Sequence, residues 1–360
     1  MRRFVLIALG VILVVVLAAY AALRSPAVES ALFRFAANRA AERSPAYLAS
    51  NNELSVLLVG TGSPLPDRSR GGPATLLAAG NHLYLVDAGI DAARNLQLMR
   101  VPLDKIDAVL LTHFHSDHIG ELGEVRLQTW VAGRRRPLSI YGPPGVERVV
   151  NGFNEAYALD AGYRIAHHGA DFLAPDAEEM IARPVAIAPG ATTTIVLRTN
   201  GLTITAIRVH HDPAKPAYGY RFDYRGRSIT VSGDTAPDED LAHAAQGSDV
   251  LVHEALSPEM VGTLGAALAA HGRTRGAKIM HDIPGYHTSP VAAARIANEA
   301  HVRLLLFTHL LPILPDAIAE RLFLRGVSDV RPNGVVLGED GTVVRLPGGT
   351  DQLDIDQLSF

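Results

Sequence analysis

Thr112-His113-Phe114-His115-Ser116-Asp117-His118 follows directly on the apolar run Ile106-Asp107-Ala108-Val109-Leu110-Leu111. The run reads as a buried strand, so the imidazoles emerge at its end. Neutral imidazole and carboxylate are the donors that zinc accepts where thiolate is missing, and the chain has no cysteine. A metal site here must therefore be built of nitrogen and oxygen. His113 and His115 leave the strand end on one side, while Asp117 and His118 lie just past a turn, so one tight loop can feed two neighbouring ions. Capping at Ser116 or Asp117 explains one polar residue of the loop but not three histidines.

Other apolar strands end in the same residue types. Leu83-Tyr84-Leu85-Val86 runs into Asp87-Ala88-Gly89, Ser228-Ile229-Thr230-Val231 into Ser232-Gly233-Asp234-Thr235, and Leu304-Leu305-Leu306-Phe307 into Thr308-His309. The alternating strand Leu202 to Val209 meets His210-His211. Successive strand residues point to opposite faces, so only one of that pair can face a metal.

His-x-His-x-Asp-His after an apolar strand resembles the signature of the metallo-β-lactamase-fold hydrolases, and the resemblance runs from about Leu54 to Pro315. Leu57 to Pro64 and Leu83 to Gly89 resemble the first two strands of its ribonuclease Z and arylsulfatase-like group. The implied fold class is α/β, an αββα sandwich of two mixed sheets flanked by helices. The resemblance further implies His113, His115 and His211 on one ion, Asp117, His118 and His309 on a second, and Asp234 bridging both. Two Zn²⁺ ions are the implied cofactor, with Mn²⁺ or Fe as alternatives. His210 stands where the group has an acidic residue. Asp87 is expected to hold the ligand loop in place. Val252-His253-Glu254-Ala255 and Tyr286-His287-Thr288-Ser289-Pro290 resemble the segments that give the group its proton donor. His287 is thereby implied as general acid and Glu254 as its orienting partner, ahead of a helix expected from Val291 to Ala300.

Arg2 and Arg3 precede an uninterrupted apolar run from Phe4 to Leu23, long enough to span a bilayer as a helix. Residues 1–23 are thus expected to be a transmembrane anchor or a signal peptide. A juxtamembrane linker or helix, with Arg24, Arg34, Arg39 and Arg43, would occupy 24–52, and the hydrolase domain 53–360. Basic residues ahead of the span favour an exported domain, membrane-anchored or, after cleavage, secreted.

The formal net charge is −4, which describes no polyanion-binding surface overall, and Arg134-Arg135-Arg136 reads as a solvated loop. His167-His168 reads as part of a surface loop and His281-Asp282 as a surface turn before Pro284. Ribonuclease Z enzymes are implied to hold precursor tRNA by a long arm between Gly-Tyr-Arg and Ser-Gly-Asp-Thr, where this chain has only Phe222 to Ser232. The expectation from this is a dinuclear zinc hydrolase cutting a small-molecule phosphodiester or sulfate ester by attack of a metal-activated water. It would have no nucleic-acid partner, a membrane contact through the N-terminal helix, and a homodimer as an alternative state. The competing readings are a tRNA 3′-processing endonuclease of the ribonuclease Z type and a catalytically silent metal-binding membrane protein.

Overall fold

Leu54, Val56 and Leu58 of the first strand face one way, Leu57 and Val59 the other, and both sets are fully buried. A strand buried on both faces lies inside a layered structure rather than at its surface. A computed structural model, which describes residues 2–42 and 50–358, shows that structure. The first sheet has eight strands, in spatial order β15 (Asp354–Gln357), β14 (Thr342–Pro347), β1 (Glu53–Gly60), β2 (Ala74–Ala79), β3 (His82–Val86), β4 (Ile106–Leu110), β5 (Leu138–Gly142) and β6 (Met180–Pro184). The second has seven, in the order β13 (Val335–Leu337), β12 (Leu304–Leu311), β11 (Val250–Leu256), β10 (Arg227–Val231), β9 (Ala217–Tyr224), β8 (Leu202–Val209) and β7 (Thr193–Thr199). Both are mixed: β3 to β6 run parallel, as do β10 to β13, and the remaining pairs are antiparallel.

The sheets face each other through Leu58, Tyr84 and Leu110 of one and Phe222, Val252 and Leu306 of the other. On the outer face of the first sheet lie α3 (Ala92–Leu98), α4 (Ser116–Ile119), α5 (Leu122–Val131) and α6 (Val146–His168). The outer face of the second carries α7 (Glu239–Ala244), α10 (Pro290–Glu299), α11 (Ala317–Phe323) and α12 (Val327–Val330). Between α7 and α10 the chain makes a helical hairpin of α8 (Pro258–Ala270) and α9 (Thr274–Asp282), packed through Val261, Met280 and Ile283. The layers are those of an αββα sandwich.

Two buried tyrosines stitch the layers across the core. Tyr220 donates to the carbonyl of Leu111 at 2.7 Å and Tyr218 to that of Val185 at 2.9 Å. Each such bond is worth about 1 kcal/mol net, and the first pins the backbone just before Thr112.

Three local expectations differ from the structure. His167 and His168 close α6 rather than lying in a loop, because the helix continues until Gly169 at positive φ stops it. His281 and Asp282 end α9 rather than forming a turn. Arg134 is buried, not solvated: its guanidinium donates to Thr129 Oγ1 and to the carbonyls of Arg126, Arg136 and Ala177. Burial lowers its pKa to about 10.

Met1–Pro45 forms a unit of its own, apart from Ala46–Phe360. It contains α1 (Arg2–Leu23), whose mean hydropathy of 3.0 and length suffice to cross a membrane, and α2 (Pro26–Ala41). Arg43 lies outside the described residues.

Candidate active site

The carboxyl ends of β3, β4, β10, β11 and β12 lie at one edge of the sandwich; Asp87, His113 and Asp234 stand just past the first three of these ends, and Glu254 and His309 within the last two strands, two residues before their ends. Asp87 and His309 both adopt left-handed backbone, with φ of 61° and 45°. Such residues cost about 1–3 kcal/mol each and persist where surrounding structure over-determines them. Gly233 shares that conformation for a plainer reason: a Cβ there would lie 2.5 Å from the Tyr218 carbonyl oxygen.

Two trios of donors flank Asp234. In the first, His113 Nε2 and His211 Nε2 approach His115 Nδ1 to 2.9 and 3.3 Å. In the second, His118 Nε2 and His309 Nε2 lie 3.6 and 3.4 Å from Asp117 Oδ2. Asp234 Oδ2 reaches both, at 4.0 Å from His113, 3.8 Å from His211, 3.2 Å from His118 and 3.3 Å from His309. Each trio has its ligand atoms mutually within 4.8 Å, close enough to share one ion, and His113, His118 and Asp234 make a third such group between them.

The surrounding residues fix these side chains. Asp87 accepts from Thr112 N and Thr112 Oγ1, each at 2.8 Å, and its Oδ2 lies 2.8 Å from His118 Nδ1. The Tyr286 carbonyl, 3.0 Å from His211 Nδ1, does the same for that ring. His210 turns away to Asp238 at 2.6 Å, so His211 is the member of the pair that enters the cluster. Thr112, Asp238 and the Tyr286 carbonyl carry no assignment from the sequence. Thr112 lies inside the decisive stretch, but a backbone carbonyl leaves no compositional trace.

The cluster suits a divalent cation. His118 Nε2 and both ring nitrogens of His309 are buried with no hydrogen-bond partner among the described residues, although carboxylates stand beside them. Buried nitrogens left unpaired are costly, and an all-nitrogen-and-oxygen donor set relieves that cost by binding a metal of the zinc type. Electrostatics divide the imidazoles. Burial, reinforced by His118, holds His113 well below the usual histidine range. At His118, burial is overcome by the Asp234 and Asp87 carboxylates, which hold it well above that range.

Beside this cluster, His287 Nδ1 lies 3.0 Å from Glu254 Oε1. Burial opposes charge on His287, but Glu254 prevails and raises it to about 9. The ring sits between His211 and His309, at centroid distances of 5.1 and 5.6 Å. The site opens into a cleft of about 250 Å³ with Pro64, Leu65, Ile279, Ile283 and Tyr286 in its walls.

Residues 82–310 match the family model described as the beta-lactamase superfamily domain. Ribonuclease Z of Mycobacterium bovis (strain BCG / Pasteur 1173P2) is 38% identical over 267 residues, covering 72% of this chain and 87% of that protein. Ribonuclease Z of Mycobacterium sp. (strain KMS) is 35% identical over 290 residues, 80% of this chain and 94% of that protein. Among solved structures, human tRNase Z, short form, superimposes with a TM-score of 0.57 at 19% identity over 80% of this chain and 98% of that chain. The metallo-beta-lactamase fold protein YhfI from Bacillus subtilis gives 0.58 at 20% identity over 81% and 99%. At such identities the two structures are alike in fold.

These relatives overturn one expectation, that of a small-molecule ester substrate without nucleic acid, because the similar proteins are ribonucleases by name. The short link from Phe222 to Ser232 does not separate this chain from them. The match of 267 positions takes up 72% of this chain and 87% of the relative despite it.

Proposed function

Since the chain belongs to the beta-lactamase superfamily as a hydrolase with Ribonuclease Z relatives, we propose that it is a dinuclear zinc phosphodiesterase that cuts RNA, most concretely a 3′-processing endonuclease of precursor tRNA. The observation that carries this reading is the pair of donor trios on either side of Asp234, with His287 and Glu254 alongside.

His113, His115 and His211 would hold one ion, Asp117, His118 and His309 the other, and Asp234 both. When bound, the two ions supply Lewis acidity that stabilises charge on the phosphoryl oxygens and lowers the pKa of water. The chain's own residues do the rest. Asp87 keeps the ring of His118 turned towards Asp234, and the Tyr286 carbonyl holds His211. Water brings the incoming oxygen to phosphorus and gives up a proton to solvent, the bond from phosphorus to the leaving oxygen breaks, and His287 donates a proton to that oxygen and is reprotonated from solvent. Glu254 fixes the imidazole for this transfer and balances its positive charge.

We assign residues 53–360 to the hydrolase domain, read α1 as a membrane anchor on its length and hydropathy, and leave α2 to the juxtamembrane segment. Precursor tRNA requires the domain on the cytoplasmic face, the reverse of the orientation that Arg2 and Arg3 suggest. Protease accessibility in sealed membranes would decide the side.

The test is cleavage of precursor tRNA by the purified full chain supplied with zinc. The expected product is a single cut at the 3′ side of the acceptor stem. Stoichiometric zinc with no turnover on RNA or on any other ester would favour the silent binding protein instead.

A further inference from the structure

The α8–α9 hairpin stands at the mouth of the cleft, with Ile279 and Met280 of α9 in its wall and Ile283 and Tyr286 directly following. It is closely packed: a Cβ on Gly265 would come within 3.1 Å of Met280 Cβ, and one on Gly276 within 3.2 Å of Leu268 Cδ1. Met280 is thereby buried, which fixes the rotation of α9. The opposite face carries Arg275 and Lys278, with an exposed Arg273 at the helix entry. Arg275 and Ile279 are one turn apart, so the charged face adjoins the residue that lines the cleft.

The charge of this face reverses that of the whole chain. From His271 to Ile283 there are three cations, Arg273, Arg275 and Lys278, against the single carboxylate of Asp282, while the complete sequence sums to −4. Lys278 pairs with Asp282 at 2.8 Å. Arg273 and Arg275 make no ion pair among the described residues. Unpaired guanidinium groups on a rigid helix beside a phosphodiester site complement a nucleic-acid backbone.

We propose that α9 and its entry hold the RNA, Arg273 and Arg275 gripping backbone phosphates next to the one that is cut. The inference rests on the ribonuclease reading and gives it a handle where the arm is missing. A strand leaving the cleft over Ile279 would meet this face.

The test compares the full chain in detergent with its R273A/R275A variant on two substrates, precursor tRNA and a chromogenic aryl phosphodiester. Both arginines lie on the solvent side of the hairpin, so the variant should fold as the parent does. KM for the tRNA should rise on the order of tenfold, and the slope of log KM against log salt should flatten by about one unit for each phosphate no longer neutralised. Turnover of the aryl ester, too small to extend from the cleft to Arg273 and Arg275, should not change. An unchanged KM and salt slope on RNA would overturn the assignment while leaving the ribonuclease reading in place. Equal loss on both substrates would overturn it too, since α9 would then be shaping the site. A changed oligomeric state of the variant by light scattering, with KM unaltered, would reassign the face to association with a second copy. Failure of the parent chain on RNA with the aryl ester still cleaved would instead remove the ribonuclease reading, and this inference with it.

Discussion

His287 Nδ1 lies 3.0 Å from Glu254 Oε1, and that same oxygen accepts the backbone amides of Thr235 and Thr288 at 3.1 Å each. One carboxylate therefore ties His287 to the segment that carries Asp234. Replacing His287 by alanine should lower kcat on precursor tRNA by about 10²- to 10⁴-fold with bound zinc unchanged. The E254Q variant should lose less, because an amide oxygen can still accept the two backbone bonds. Metal analysis alongside kinetics checks both, and zinc lost in parallel with activity at His287 would make it a ligand.

Asp87 should act through metal affinity. It accepts three hydrogen bonds, two from Thr112 and one from His118, and it lies outside the walls of the cleft. Partners of this kind typically contribute 10- to 100-fold in affinity. A competition titration of the D87N variant against a chromogenic chelator should show weakening in that range. Parent-like affinity would leave Asp87 with a purely structural role.

Metal removal should destabilise the fold. The unpaired nitrogens of His118 and His309 gain partners when an ion binds, and any ligand of the native state alone stabilises it. At free zinc a hundred times Kd the gain is about 2.7 kcal/mol, so excess chelator should lower the Tm and zinc should restore it. For D234A the same additions should move the Tm little. A chelator-insensitive parent chain would contradict the assignment.

Away from the site, stability should hinge on Asp249. Arg227 approaches it with Nε and Nη2 at 3.1 and 2.9 Å, Arg303 donates at 2.9 Å, and the Ser228 amide adds a fourth bond. The D249N variant leaves Arg227 buried without its charge partner, at a cost of about 3 kcal/mol. Burial opposes the charge on Asp249, but these partners hold its carboxyl below the usual range. A depressed carboxyl stabilises above the unfolded pKa of about 3.9 and ceases to do so as pH falls below it. The gap in stability between parent and D249N should thus be constant near neutrality and shrink below about pH 4, as urea unfolding across pH can show.

Much of this arrangement is legible in the chain. The strand ending at Leu110 and the histidine-rich loop behind it are local, because apolar runs and dense imidazoles need no tertiary knowledge to be read. Strand alternation allows only one of His210 and His211 into the site, and the resemblance picks His211. Arg134 misleads because a charged residue next to Gly looks like surface, whereas its burial comes from carbonyls it meets only in the fold, that of Ala177 among them. The substrate misleads differently. The short link from Phe222 to Ser232 is a true feature of the sequence, but Ribonuclease Z relatives match this chain at 38% identity all the same.

The most direct measurement is the number of zinc ions per chain, taken with anomalous diffraction to place them. Two peaks flanking Asp234, one among His113, His115 and His211 and the other among Asp117, His118 and His309, are the predicted result, with both lost in D234A. A single ion, or ions elsewhere than these two trios, would contradict the account.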